Sequence, residues 1–240
     1  MSARKIAQAP VKKEAVKNAP AAQAAIEWEP VFNALQKWRA NLPDPSVSTV
    51  AEQFKNDPWA ILVSTIISLR TKDEVTLAAA RALLEKAGDC KKLLALTERE
   101  IQKLIYPAGF YKTKAVNLKK IALLVLDKHE GRVPDDLDTL LGFPGVGRKT
   151  ANLVIIEAYN KDGICVDTHV HRISNRTGWL CSKTPEETEM RLRQILPRKY
   201  WRPINPVLVL YGQHLCRPVS PFCSRCVLPS CRREGVTTFR

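Results

Sequence analysis

The chain lacks any apolar run of membrane-spanning length. Its longest, Trp59 to Leu69, is short and is interrupted by Ser64, Thr65 and Ser68. A protein in solution, with no membrane partner, is therefore expected. Sustained polar–apolar alternation between turn clusters is also missing, which removes the signal for strands and leaves an all-α fold class. Acidic residues are scarce: 24 Asp and Glu stand against 38 Lys and Arg, a formal net charge of +14. Such an excess favours polyanionic partners, with nucleic acid as the leading candidate. Cysteine is uneven rather than absent. The total is seven, and four of these crowd between Cys216 and Cys231. An odd number with one tight cluster argues against a disulfide framework and for a metal site in a reducing compartment. The scattered Cys90, Cys165 and Cys181 read as core residues.

What is present is mostly helical. With 240 residues, 45% of them hydrophobic, the chain can bury one large core or two modest ones. Residues 1–25 are rich in Ala, Lys and Gln, contain Pro10 and Pro20, and have no aromatic residue. They read as a basic disordered tail; few acids suit a mitochondrial leader, but Lys in place of Arg and little Ser do not. From Glu27 onward the apolar spacing is helical. Val31, Leu35 and Trp38 share one face of a first helix, which Asn41 to Ser46 ends. Asp57-Pro58 opens a buried helix, and Asp73 opens the next. Thr97-Glu98-Arg99-Glu100 and Thr184-Pro185-Glu186-Glu187 both have the form of a capping box. Lys112 to His129 forms a further helix, and Pro134-Asp135-Asp136 starts a short one.

That short helix leads into the central motif, Leu140-Leu141-Gly142-Phe143-Pro144-Gly145-Val146-Gly147-Arg148-Lys149-Thr150-Ala151. The glycines permit backbone geometry that a side chain forbids and leave room for a partner's close approach. Amides at such a turn, opening onto a helix N-terminus, form a site for an anion such as phosphate. The pattern predicts a helix-hairpin-helix that grips a nucleic-acid backbone without reading bases; an ordinary αα-hairpin has the same turn signals. Lys149 follows the turn directly, where its amine can be a nucleophile or one more phosphate contact. Asp167, in Val166-Asp167-Thr168-His169-Val170-His171-Arg172, begins a helix holding Val170, Ile173 and Trp179, so it also suits an N-cap. Cys216-x6-Cys223-x2-Cys226-x4-Cys231 offers four soft ligands for an iron–sulfur cluster or zinc, though the paired CxxC knuckles common to zinc ribbons are missing.

Together these three elements make a chain that resembles the endonuclease III family of DNA glycosylases, within the helix-hairpin-helix superfamily, from about Trp28 to Cys231. The resemblance implies two helical lobes with a DNA cleft between them. One is a six-helix barrel over 51–161; the other is an iron–sulfur lobe built from 26–50 and 162–240. It implies a monomeric bifunctional DNA glycosylase and AP lyase that removes oxidised pyrimidines from double-stranded DNA with damaged bases or abasic sites. Lys149 and Asp167 match the family's catalytic pair. The DNA-binding set is Arg70, Phe110, Lys112, Gly145, Val146, Gly147, Arg148, Thr150 and His169, with Ser68 and Asp73 at the pocket mouth. Arg70 stands where relatives commonly have glutamine, and Phe110 where many have an aliphatic wedge. Leu141 falls where some bacterial relatives carry glutamate. Cys216, Cys223, Cys226 and Cys231 match the ligands of a 4Fe-4S cluster, with a last gap one residue shorter than is usual. The cluster would staple a loop presenting Arg217, Arg225, Arg232 and Arg233 to phosphates. The expected location is the cytoplasm (the bacterial nucleoid), or the nucleus or mitochondrion in a eukaryote. Adenine-mismatch relatives usually lack the lysine and carry a further C-terminal domain, whereas this chain ends at Arg240, soon after Cys231.

Overall fold

The computed structural model describes residues 26–240, so the expected basic tail over 1–25 lies outside the described residues. Every regular element among them is helical. Helix α1 (Trp28–Arg39) is followed by α2 (Ser46–Gln53), α3 (Pro58–Ser68), α4 (Asp73–Lys86), α5 (Cys90–Ala95) and α6 (Glu98–Ile105). Then come α7 (Tyr111–His129), α8 (Leu137–Leu141), α9 (Arg148–Tyr159), α10 (Thr168–Arg176), α11 (Pro185–Ile195) and α12 (Ile204–His214).

Helix α3 is apolar nearly all round, and such a helix belongs inside. Trp59 through Ile67 are all buried, with α2, α4, α7 and α9 packed around them. Asp57 starts it by accepting the Ala60 amide, and Pro58 occupies the first turn, where no amide partner is lost. One hydrophobic core runs from Val50 to Ile155 around this helix. A second joins α1 to the C-terminal third, through Val31, Phe32 and Leu35 against Ile173, Leu208 and Tyr211. Aromatic contacts reinforce that joint. Trp28 meets Trp179 edge-on at 5.1 Å, and Phe32 stacks on Tyr200 at 3.9 Å. A third, small group comprises Val47, Leu153, Ile156 and Cys165.

Several local expectations are corrected. The capping box at Thr97 is complete, but at Thr184 only half forms: Thr184 accepts the Glu187 amide, while the Glu187 carboxylate accepts the Lys183 amide instead. The backbone turns at Lys183, one residue early, and draws the carboxylate there. Trp179 is buried but lies beyond α10, which ends before Gly178 at a positive φ of 76°. Cys181 is exposed rather than a core residue, while Cys90 and Cys165 are buried.

Candidate active site

Helices α8 and α9 form the two arms of the hairpin, and the turn between them is built from backbone. The Phe143 amide donates to Leu140 O at 3.1 Å and the Val146 amide to Phe143 O at 3.1 Å. Phe143 and Val146 point inward and are buried, so the apolar members of the motif anchor the turn to the first core. Gly145 has φ of 79°, and a Cβ there would stand 2.6 Å from Asn117 Nδ2. Gly147 has ordinary φ, and a Cβ there meets no atom within 4 Å. The two glycines therefore serve different ends, one for the backbone and one for open space. Gly145→Ala is expected to lower stability by about 1–2 kcal/mol, the cost of a left-handed residue, as read by denaturant unfolding. Gly147→Ala is expected to leave that curve in place.

Gly147 brings no side-chain cap to α9, so the first amides of the helix leave a place where an anion can be held. Lys149 sits in that first turn. Its amine forms no hydrogen bond or ion pair among the described residues. Beneath it, the fully buried Cys165 thiol donates to Lys149 O at 3.6 Å, and burial pushes that thiol up to about 12. Asp167 is the N-cap of α10. Its Oδ1 accepts the His169 and Val170 amides, both at 2.9 Å, which leaves Oδ2 unengaged.

Lys149 and Asp167 line the same two adjoining cavities. One, of about 510 Å³, is walled by Leu69, Arg70, Gly147, Thr168, Pro185 and Glu186. The other, of about 180 Å³, reaches toward Ser46, Ser68, Asp73, Asn205 and Gln213. Ser68 and Asp73 thus lie beside the pair. Both Asp73 oxygens are occupied: Oδ1 accepts from Ser46 Oγ at 3.2 Å, and Oδ2 from Gln213 Nε2 at 3.4 Å. Ser46 and Gln213 are site residues that the sequence did not disclose. They are ordinary polar residues on α2 and α12, and only the fold brings them to Asp73.

The remaining candidates divide. Arg70 and Phe110 occupy neighbouring turns, each at positive φ, 52° and 56°. Phe110 is 61% exposed, and the Arg70 guanidinium stacks over its ring at 5.4 Å. Lys112 is exposed at the start of α7. Arg148 does not face the cleft as a free cation. It makes two hydrogen bonds to buried Glu189, at 3.0 and 3.1 Å, and Arg193 shares the same carboxylate. The Thr150 and Val146 side chains are buried as well, so at those two positions only backbone can meet a ligand. His169 is mostly buried, and burial holds its pKa below the usual histidine range. Arg172 Nη2, which can only donate, lies 3.0 Å from its Nδ1, so Nδ1 accepts and a neutral ring carries its proton on Nε2. His171 is tied to Thr188 at 2.6 Å and serves as scaffold.

The four clustered cysteines line one cavity beside Tyr211, Phe222 and Leu228. Cys231 hydrogen-bonds to Cys226, and with the Tyr211 hydroxyl at 3.2 Å it brings the Cys226 thiol down to about 5, while Cys231 itself is raised. Arg176 Nη1 donates to Cys216 Sγ at 3.7 Å. Donors aimed at sulfur suit thiolate ligands. Yet no three His, Cys, Asp or Glu side chains converge on a single ion point among the described residues. The four sulfurs lining this cavity are soft donors of the kind that an iron–sulfur cluster or zinc takes. Arg217, Arg225, Arg232 and Arg233 are all exposed around this loop, the first two over Phe222.

Residues 63–198 match the HhH-GPD superfamily of base excision DNA repair proteins. Endonuclease III of Thermotoga maritima is 44% identical over 174 residues, which cover 72% of this chain and 82% of that one. Endonuclease III-like protein 1 of Gallus gallus is 40% identical over 172 residues, covering 70% of this chain and 61% of that one. A solved structure, that of a trapped endonuclease III–DNA covalent intermediate, aligns with a TM-score of 0.70 at 31% identity, covering 83% of this chain and 96% of that chain. The chain belongs to the endonuclease III family of that superfamily.

Proposed function

We propose that Lys149 and Asp167 are the reacting pair with which this chain excises oxidised pyrimidines from duplex DNA and then cleaves the strand. As a member of the endonuclease III family, the chain is an enzyme of base excision repair, a DNA glycosylase and AP lyase. The observation that carries the residue roles is the shared lining of both cavities by an unpaired amine and a carboxylate with one unengaged oxygen.

The chemistry follows from those two groups. The neutral Lys149 amine attacks the sugar C1′; the glycosidic bond breaks and the base leaves with the bonding electron pair, taking up a proton. The nitrogen then loses a proton and the C1′–O4′ bond breaks, O4′ leaving with the electron pair and taking up a proton, so that the opened sugar carries a protonated Schiff base on Lys149. That cation acidifies C2′, whose proton is lost as the C3′–O bond breaks, and the strand is cut by β-elimination. Water hydrolyses the imine and restores the amine. Asp167 Oδ2 faces the positive charge that develops on the sugar and assists the proton movements, while Oδ1 keeps α10 in place.

Duplex DNA is held by the backbone of Gly145, Val146 and Gly147 and the first amides of α9, with Lys112 and the arginines of the cysteine loop adding phosphate contacts. Gly147→Ala, though harmless to folding, then weakens binding of abasic duplex by about tenfold. The damaged nucleotide leaves the stack and enters the space beside Ser68, Asp73 and His169, and Arg70 with Phe110 fills the gap. The cleft lies between a barrel over 51–161 and a lobe formed by 26–50 with 162–240, and the enzyme works as a monomer. No helix among the described residues is long and apolar enough to cross a membrane, in keeping with a place beside DNA in the cytoplasm, or in a DNA-bearing organelle or nucleus.

Cys216, Cys223, Cys226 and Cys231 would hold a 4Fe-4S cluster, which when bound contributes a covalent staple to the loop and takes no part in excision. Anaerobically purified protein is expected to be brown and to contain iron and sulfide, with Cys226→Ser losing both. A colourless protein containing zinc would replace the assignment. The wider reading is tested on duplexes bearing an oxidised pyrimidine, uracil or a mismatch. Release of the oxidised base coupled to strand cleavage is expected, and excision confined to the mismatch would overturn the substrate class.

A further inference from the structure

Lys114 is only 5% exposed and sits in the first turn of α7, where burial and the positive end of the helix both disfavour a cation. Burial brings its pKa down to about 8. Each of its three donors nonetheless has an acceptor. Nζ donates to Ile67 O and Leu69 O, both at 2.6 Å, and to Thr71 Oγ1 at 2.8 Å. The two carbonyls belong to the end of α3, where partners within the helix run out, so a lysine from another helix caps it. Arg70 follows at once, at a positive φ.

The second turn is tied into the same knot. Thr71 Oγ1 also accepts the Gly109 amide at 3.1 Å. A Cβ on Gly109 would stand 2.3 Å from Arg70 O, so the two backbones touch where only glycine fits. Phe110 comes next, exposed, at a positive φ that a bulky residue holds only when its surroundings fix it. Arg70 and Phe110, on loops far apart in sequence, therefore share one support, and Lys114 is its centre.

We propose that Lys114 is a positioning residue that locks these two turns into a single wedge, so that Arg70 and Phe110 enter the duplex together and hold the damaged nucleotide out. This rests on the glycosylase reading given above. Lys119 on the same helix supplies a built-in comparison. It caps α5 in the same manner, through Leu94 O at 3.1 Å and Leu96 O at 2.6 Å, and touches neither wedge turn.

The test uses the full chain and two substrates: a duplex with an oxidised pyrimidine, where the base must be extruded, and a single-stranded abasic oligonucleotide, where nothing must be. The readout is the duplex excision rate divided by the single-strand cleavage rate. In Lys114→Met this ratio is expected to fall at least about tenfold, as misplaced groups cost in a preorganised site. Thr71→Val moves it in the same direction, and Lys119→Met leaves it within about twofold of the parent. A smaller fall in Lys114→Met, or an equal one in Lys119→Met, overturns the proposal. Should Lys114→Met fail to fold by circular dichroism, Thr71→Val decides in its place. Parent protein inactive on the abasic strand would strike the enzymatic reading instead. The wedge is then judged by 2-aminopurine fluorescence beside an abasic analogue: a rise on binding that is lost in Thr71→Val upholds it, and an unchanged rise ends it.

Discussion

Lys149→Ala is expected to abolish the covalent adduct that borohydride traps between this protein and abasic-site DNA, and to lower strand cleavage at least about a thousandfold. The size of the loss follows from chemistry with no substitute in the cleft. Trapping requires an imine, and an imine requires a primary amine at C1′. Lys149 is the lysine that lines both cavities. The change should leave DNA binding within about tenfold, because a single cation among many phosphate contacts carries a modest share of the affinity. Gel analysis of reduced complexes, set beside a binding titration, separates the two effects. An adduct that persists in the alanine variant moves the nucleophile elsewhere. If the parent protein forms none, the chain is a DNA-binding module rather than a lyase.

The second large effect is at Asp167. Asp167→Asn is expected to slow base excision by at least about a hundredfold, the loss seen when one preorganised electrostatic group is removed from a reacting centre. The substitution suits the position because asparagine is as good an N-cap as aspartate. Its amide oxygen can go on accepting the His169 and Val170 amides that Oδ1 accepts at 2.9 Å. Thermal unfolding should hardly move, while single-turnover excision collapses. Asp167→Ala removes cap and charge together, so it should lose stability as well, by about 1 kcal/mol. Undiminished excision in a well-folded Asp167→Asn protein would confine the residue to its capping role.

The fold was legible because its signals are local. Gly145 and Gly147 mark a turn, Asp57-Pro58 and Thr97 with Glu100 mark helix starts, and four cysteines close in sequence mark a ligand loop. What escaped notice has no local mark. Helix α2 has no side-chain cap, since Pro45 precedes it, and it is only eight residues long. Helix α12 likewise begins without a side-chain cap. The contacts of Lys114 have no local mark either, because its acceptors lie more than forty residues earlier in the chain. Arg148 looks like a phosphate contact beside Lys149, and only the arrival of α11 shows that Glu189 claims it. Pairings of that kind depend on tertiary packing, which neither periodicity nor spacing encodes.

The docking of α1 against α12 bears on how the molecule is made. Ribosomes release Trp28 to Arg39 long before Ile204 to His214, so the hydrophobic face of the first helix must wait until the twelfth has been translated. The contiguous core around α3 can close during that interval, because its members lie between Val50 and Ile155. The half that carries the cysteines therefore closes later than the core around α3 can, because α1 finds its partner only once α12 has been made.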